Sequence, residues 1–130
     1  MDCRRQAHKR GLAIRRPQKI WDSTLAAAGM LYAQRVGDAV FRRYHDTVFK
    51  RFWRRELDIE DVAVFAAVLA EAGADGPAFV AQAQAGRDEV AAISHAAEAI
   101  GVFGMPSLIV DGGMFWGSEH LPDIRTMLAT

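Results

Sequence analysis

Two stretches near the C-terminus carry residue types whose spacing could do chemistry. The first is Gly101-Val102-Phe103-Gly104-Met105-Pro106-Ser107, and the second is Asp111-Gly112-Gly113-Met114-Phe115-Trp116-Gly117-Ser118-Glu119. A proline at the head of an apolar run permits a cis peptide bond, which costs only ~0.5–1 kcal/mol at an X–Pro step. A cis bond turns the backbone N–H and C=O of Met105 outward, where an extended peptide could pair with them as with a strand edge. Periodicity alone favours an ordinary trans proline at a strand start. Ser118 and Glu119, read from residue type alone, are a plain helix start with a favourable first-turn acid. Cys3 is the one cysteine, which excludes an internal disulfide and any CxxC dithiol. His95 stands alone, with no second ligand at i+4, so no metal site is expected.

The elements that position these residues follow from local patterning. Ser107–Val110 has strand composition, Asp111-Gly112 is a strong hairpin signal, and Gly113–Trp116 is the return strand. Gly117 breaks that strand, and Ser118 is expected to cap a final helix burying Leu121, Ile124 and Leu128. Upstream, about five helices are expected over residues 2–100. A short charged helix ends at Gly11, and residues 14–17 are extended ahead of a proline. A helix capped by Asp22 or Ser23 runs to Gly37. A third, capped by Asp38, carries Val40, Phe41, Tyr44, Val48, Phe49, Phe52 and Trp53 on one broad face that reads as core. Residues 61–72, 76–85 and 87–100 are further helices, the last with Val90, Ile93, Ala97 and Ile100 on one face.

The chain has 130 residues, 51% apolar and 25% charged, which fits one ordinary globular domain and excludes disorder, collagen and a disulfide scaffold. No apolar run approaches the ~18 residues of a membrane helix. The N-terminus leads into charge, so no secretory signal is expected and the expected location is cytoplasmic. The net charge of zero hides a split: residues 1–55 carry 14 Lys+Arg and 4 Asp+Glu, net +10, and residues 56–130 carry 2 and 12, net −10. A basic half can bind nucleic acid, but no aromatic residues interleave with the basic ones as a stacking platform requires. Solvated helix faces, or two halves lying against each other, are the plainer reading.

The string GVFGMPSLIVDGGMFWGSEHL, residues 101–121, resembles 2-hydroxychromene-2-carboxylate isomerases and the related kappa-class glutathione transferases, within the disulfide-oxidoreductase-A-like thioredoxin superfamily. Upstream, AHKRGLAIRRP, STLAAAGMLYAQRVG and VFKRFWRRELDIEDVAVFAAVLAEAGAD resemble that family's inserted helical domain, in order. The resemblance implies a mostly helical α+β chain: a helical insertion domain over residues 1–100, then the C-terminal ββα half of a thioredoxin-like domain over 101–130. It implies a cis bond before Pro106. It also implies a glutathione site in which the backbone at Met105 and Pro106 pairs with the cysteinyl part, while Gly117, Ser118 and Glu119 hold the γ-glutamyl end. The family usually has aspartate where Glu119 stands and arginine where His120 stands.

The implied reaction is glutathione-dependent cis–trans isomerisation of an intermediate in aromatic-compound degradation. The implied ring pocket is formed by Phe49, Trp53 and Trp116. The family's first strand, serine-bearing loop and helix have no readable counterpart here, so the expectation is a truncated thioredoxin-like fold without a catalytic residue and with impaired activity. A non-catalytic remnant or interaction module, completing its sheet with another polypeptide or as a homodimer, is the alternative. A nucleic-acid-binding helical protein is the third.

Overall fold

A computed structural model describes residues 2–129. The order of elements is α1 (Asp2–Lys9), α2 (Thr24–Val36), α3 (Asp38–Trp53), α4 (Val62–Ala72), α5 (Gly76–Ala99), β1 (Ser107–Val110), β2 (Gly113–Trp116), a 3-10 turn over Ser118–His120, and α6 (Leu121–Leu128). The chain divides into two compact units, Met1–Ala92 and Ile93–Thr130, so the division falls inside α5.

In the first unit, α2, α3 and α4 pack against one another. Their apolar faces make one core with Leu25, Tyr44, Val48, Phe65, Val68 and Leu69, which Phe79 of α5 joins. Local chemistry sets the helix ends. The Asp61 carboxylate accepts the Ala63 N–H at 2.8 Å and starts α4. Asp75 accepts the Ala78 N–H at 2.9 Å and starts α5. Asp22 takes the Thr24 N–H at 2.8 Å, while Ser23, at the cap position of α2, makes no side-chain cap bond.

Asp38 is not the cap of α3: Gly37 holds that position, and Asp38 lies in the first turn, where its charge still favours the helix start. The aromatic face of α3 is also narrower than its spacing implied. Val40, Tyr44 and Val48, one turn apart, are buried, whereas Phe49 is 53% exposed.

Gly86 does not divide residues 76–100 into two helices; α5 is continuous through it. A Cβ there would lie 3.0 Å from the Cβ of Ala28, so the glycine serves close approach of α5 to α2. A lone glycine weakens a helix by only ~1 kcal/mol, which packing easily offsets. The expected apolar face of the second half is largely open: Val90 packs on the core, while Ile93 and Ile100 are exposed.

The second unit holds the hairpin. β1 and β2 pair antiparallel with Ser107 opposite Trp116 and Val110 opposite Gly113. Asp111 and Gly112 have φ of 48° and 77°, the left-handed pair that a tight two-residue turn requires. The final helix differs from expectation. Ser118 opens a 3-10 turn rather than capping α6, and of the expected face only Ile124 is buried, with Leu121 and Leu128 exposed. With only eight residues, and Pro122 in its first turn, α6 has little length over which to bury a full stripe.

Candidate functional site

Hairpin register builds the site at the open end of the strands. Because Ser107 faces Trp116, the next step along the ladder sets Pro106 beside Gly117, and the Gly117 N–H donates to the Pro106 carbonyl at 3.0 Å. Met105 and Pro106 on one side of the hairpin, and Gly117, Ser118 and Glu119 on the other, are thereby brought to one end of the second unit. The Met105–Pro106 peptide bond is cis. The backbone N–H and C=O of Met105 make no hydrogen bond among the described residues, and its side chain is 79% exposed. The strap ahead of it is fixed by the Ser107 hydroxyl, which donates to the Gly104 carbonyl at 2.5 Å.

Gly117 has φ of 108°, a conformation nearly closed to other residues, and it turns the chain from β2 into the 3-10 turn. The Glu119 carboxylate folds back over Gly117, where a Cβ would collide with it. Ser118 and Glu119 are solvent-exposed. The His120 ring lies 5.9 Å from that of Phe115. This end of the hairpin therefore offers a free donor and acceptor at Met105, a hydroxyl at Ser118 and one carboxylate at Glu119.

The three expected ring-pocket residues are divided between the two units. Trp116 belongs to the second unit, where its ring is 5.3 Å from that of Phe103 and its indole lies against the backbone of Gly104. Phe49 and Trp53 belong to the first unit. They form the wall shared by two clefts, of about 690 Å³ and about 440 Å³.

The larger cleft also takes in Lys19, Trp21 and Phe52. The Lys19 ammonium sits 4.4 Å over the Trp21 ring, and Trp21 meets Phe52 edge-on at 6.1 Å. Sequence reasoning missed Trp21 because it lies in an irregular segment with no helical spacing to mark it. The signal available was the apolar pair Ile20-Trp21 just ahead of a helix start, with Ile20 fully exposed. No group of His, Cys, Asp or Glu among the described residues could hold a metal ion, and no helix is long and apolar enough to cross a membrane.

Comparison with known proteins adds the family. No curated protein matches the chain. Among solved structures, the fold is similar to that of a 2-hydroxychromene-2-carboxylate isomerase (HCCA isomerase), with a TM-score of 0.78 and 24% sequence identity. That likeness covers 98% of this chain and 63% of the other, so the chain spans less than two thirds of that protein's length. Residues 1–129 match the DSBA-like thioredoxin domain. The chain belongs to the DSBA-like thioredoxin domain family.

Proposed function

We propose that this chain carries part of a glutathione-dependent isomerase of the 2-hydroxychromene-2-carboxylate type, and that as a 130-residue polypeptide it turns over poorly. The observation that carries the reading is the adjacency of Met105 and Pro106 to Gly117, Ser118 and Glu119 through hairpin register. The residues present fit glutathione. The free N–H and C=O of Met105 can pair with an extended peptide as a strand edge does, and Glu119 can pair with an ammonium while the Ser118 hydroxyl meets a carboxylate. Bound glutathione would supply a thiol that, as thiolate, adds reversibly to a conjugated bond and leaves after rotation.

Poor turnover follows from what these residues lack. Lowering a thiol pKa needs a donor or cation aimed at the sulfur. The Ser107 hydroxyl, beside the strap, is committed to the Gly104 carbonyl. Removing one preorganised donor costs enzymes ~10²–10³ in rate. Within the first unit, the clefts bounded by Phe49 and Trp53 are of a size and apolar character that suit an aromatic ring.

The test has two readouts. Calorimetric titration should find weak glutathione binding that Glu119→Gln and Gly117→Ala both diminish. Turnover of a hydroxychromene carboxylate with glutathione should stay near the uncatalysed rate, and should rise when a relative's N-terminal strand–loop–helix segment is joined to the chain. Absence of glutathione binding, or full turnover by the chain alone, would overturn the reading. The second reading, an interaction module in a homodimer or with another polypeptide, is favoured by the hairpin itself: among the described residues its two strands pair only with each other, leaving both edges open. The expected cytoplasmic location belongs to the same proposal.

A further inference from the structure

The basic half of the chain plays no part in the glutathione reading, yet its free cations converge. Four arginines and a histidine, Arg4, His8, Arg15, Arg16 and Arg55, line an open groove of about 470 Å³ in the first unit, floored by Leu12 and Ile14. Among the described residues no carboxylate lines it. Some cations of this unit are neutralised by ion pairs. Lys19, Arg35 and Arg51 are each paired, with Glu60, Glu89 and Glu71 respectively. Arg4, Arg15, Arg16 and Arg55 have no ion-pair partner among the described residues. Glu56 and Asp58 line an adjoining cleft that shares Arg15 and Arg55 with the groove, and neither forms an ion pair with them.

The groove is also built rather than incidental. Arg4 and His8 are one turn apart and share a face of α1. The opposite wall is tied to the end of α3: the Arg15 N–H donates to the Trp53 carbonyl at 2.8 Å, and the Arg55 guanidinium donates twice to the Arg16 carbonyl, at 2.9 and 2.6 Å. Arg55 occupies the left-handed residue that closes α3, with φ of 63°, a place normally given to glycine. Its backbone N–H bonds to Phe52 and that of Glu56 to Arg51, which completes the helix stop. An arginine held in a conformation that favours glycine is a local cost that its side chain must offset.

We propose that this groove binds a compact polyanion of the diphosphate type, either free or as the head of a larger organic diphosphate. Planar guanidinium forks match phosphate oxygens and are more weakly hydrated than ammonium groups. A concavity of a few hundred Å³ suits a small ligand. A nucleic-acid strand is the poorer fit, because among the described residues no Phe, Tyr or Trp lines the groove as a stacking platform for successive bases.

The test is calorimetric titration of the whole chain with inorganic pyrophosphate, beside inorganic phosphate, an organic diphosphate and a single-stranded oligonucleotide. Saturable one-to-one binding of pyrophosphate is expected, at least tenfold tighter than phosphate. Arg55→Gly keeps the left-handed stop and removes the guanidinium; it should weaken binding at least tenfold with an unchanged far-ultraviolet spectrum. Arg4→Gln, on the other wall, should weaken it similarly, whereas Arg42→Gln, on α3 outside the groove, should leave it unchanged. Equal binding of the organic diphosphate would identify it as the head group's source. No saturable binding, binding that ignores both groove variants, or an oligonucleotide bound tenfold more tightly than pyrophosphate would overturn the proposal.

Discussion

Replacing Gly29 by alanine should destabilise the first unit through one side chain, Tyr44, and removing that side chain's hydroxyl should undo most of the damage. Gly29 is buried in α2, facing α3. A Cβ there would collide with the Tyr44 hydroxyl and lie 2.9 Å from its Cζ. The ring cannot simply step aside: Tyr44 is 2% exposed, packs against Phe65 and donates its hydroxyl to the Ala26 carbonyl at 2.8 Å. Overpacking costs ~1–3 kcal/mol, and displacing the hydroxyl leaves a buried donor unpaired for another ~1–2 kcal/mol. Alanine's better helix propensity returns ~1 kcal/mol. These terms give a net loss for Gly29→Ala of about 1–4 kcal/mol, and the middle of that range, about 2–3 kcal/mol, is the expected value.

Tyr44→Phe alone should cost about 1 kcal/mol, the bond to Ala26. In the double variant the collision with the hydroxyl is gone, the broken bond counts once, and alanine's helix propensity offsets the remaining 2.9 Å approach to Cζ, so the total should be about 1 kcal/mol rather than the sum of 3–4. Urea unfolding followed by circular dichroism resolves this, since a coupling of about 2 kcal/mol moves the midpoint by roughly 1 M at a slope near 2 kcal/mol per molar. Additivity within ~0.5 kcal/mol would show that the two residues do not meet as described.

Gly104→Ala places a Cβ 2.6 Å from Trp116 Nε1, so the indole N–H resonance of Trp116 should move while those of Trp21 and Trp53 stay; an unmoved resonance would contradict the packing of Trp116 on the strap. Asp61→Ala removes the acceptor for Ala63 and Val64 at the start of α4 and should cost about 1 kcal/mol in a thermal melt. Hydrogen bonding by Thr24, Lys19 and Arg51 holds the carboxyls of Asp22, Glu60 and Glu71 below their ordinary range. Because their folded pKa values are lowered, their contribution to stability is full above about pH 4.5, the unfolded carboxylate range, and is lost as pH falls through the lowered values. A melting temperature that drops below pH 4.5, less steeply at high salt because the groups are exposed, is the expected result.

What was legible in the sequence is what local chemistry decides. Asp111-Gly112 admits one tight turn, and that turn fixes the register. Register then sets Pro106 beside Gly117, so the gathering of the site residues at one hairpin end followed from a two-residue loop. Asp61 and Gly73 likewise bound α4 where their caps place them. What was not legible depends on partners distant in sequence. Gly86 has the residue type of a helix stop, and only the nearness of Ala28 explains why α5 runs through it. The α3 stripe divides because α2 and α4 cover Val40, Tyr44 and Val48 and leave the Phe41–His45–Phe49 row of rings outside the centre of the core. Arg55 gave no signal at all. Its left-handed backbone and its grip on Arg16 appear only once residues 39 apart in the chain are seen together.

The two units should also differ in local stability, and the reason bears on where the chemistry resides. Among the described residues, fully buried apolar side chains concentrate in the first unit, from Ala7 to Phe79, while Ile124 stands alone in the second. Each of the larger ones, such as Leu25, Phe65 or Leu69, contributes ~1.5–3 kcal/mol, and a two-stranded hairpin is marginal in water by itself. One face of this hairpin holds the partly buried Leu108 and Phe115; the other leaves Ile109, Met114 and Trp116 exposed. Opening of residues 101–121 should therefore need far less free energy than opening of α2, α3 and α4. Hydrogen exchange read by mass spectrometry should show the amides of β1 and β2 exchanging at least a hundredfold faster than those of α3. Ile124→Ala should speed the hairpin further and leave α3 untouched. Glutathione, if it pairs with Met105 and the Gly117 turn, should slow the hairpin alone, since a ligand stabilises what it binds. Equal protection in hairpin and helices would mean that the hairpin's open face is covered by something other than the residues described, and that its marginal packing is not what limits the site.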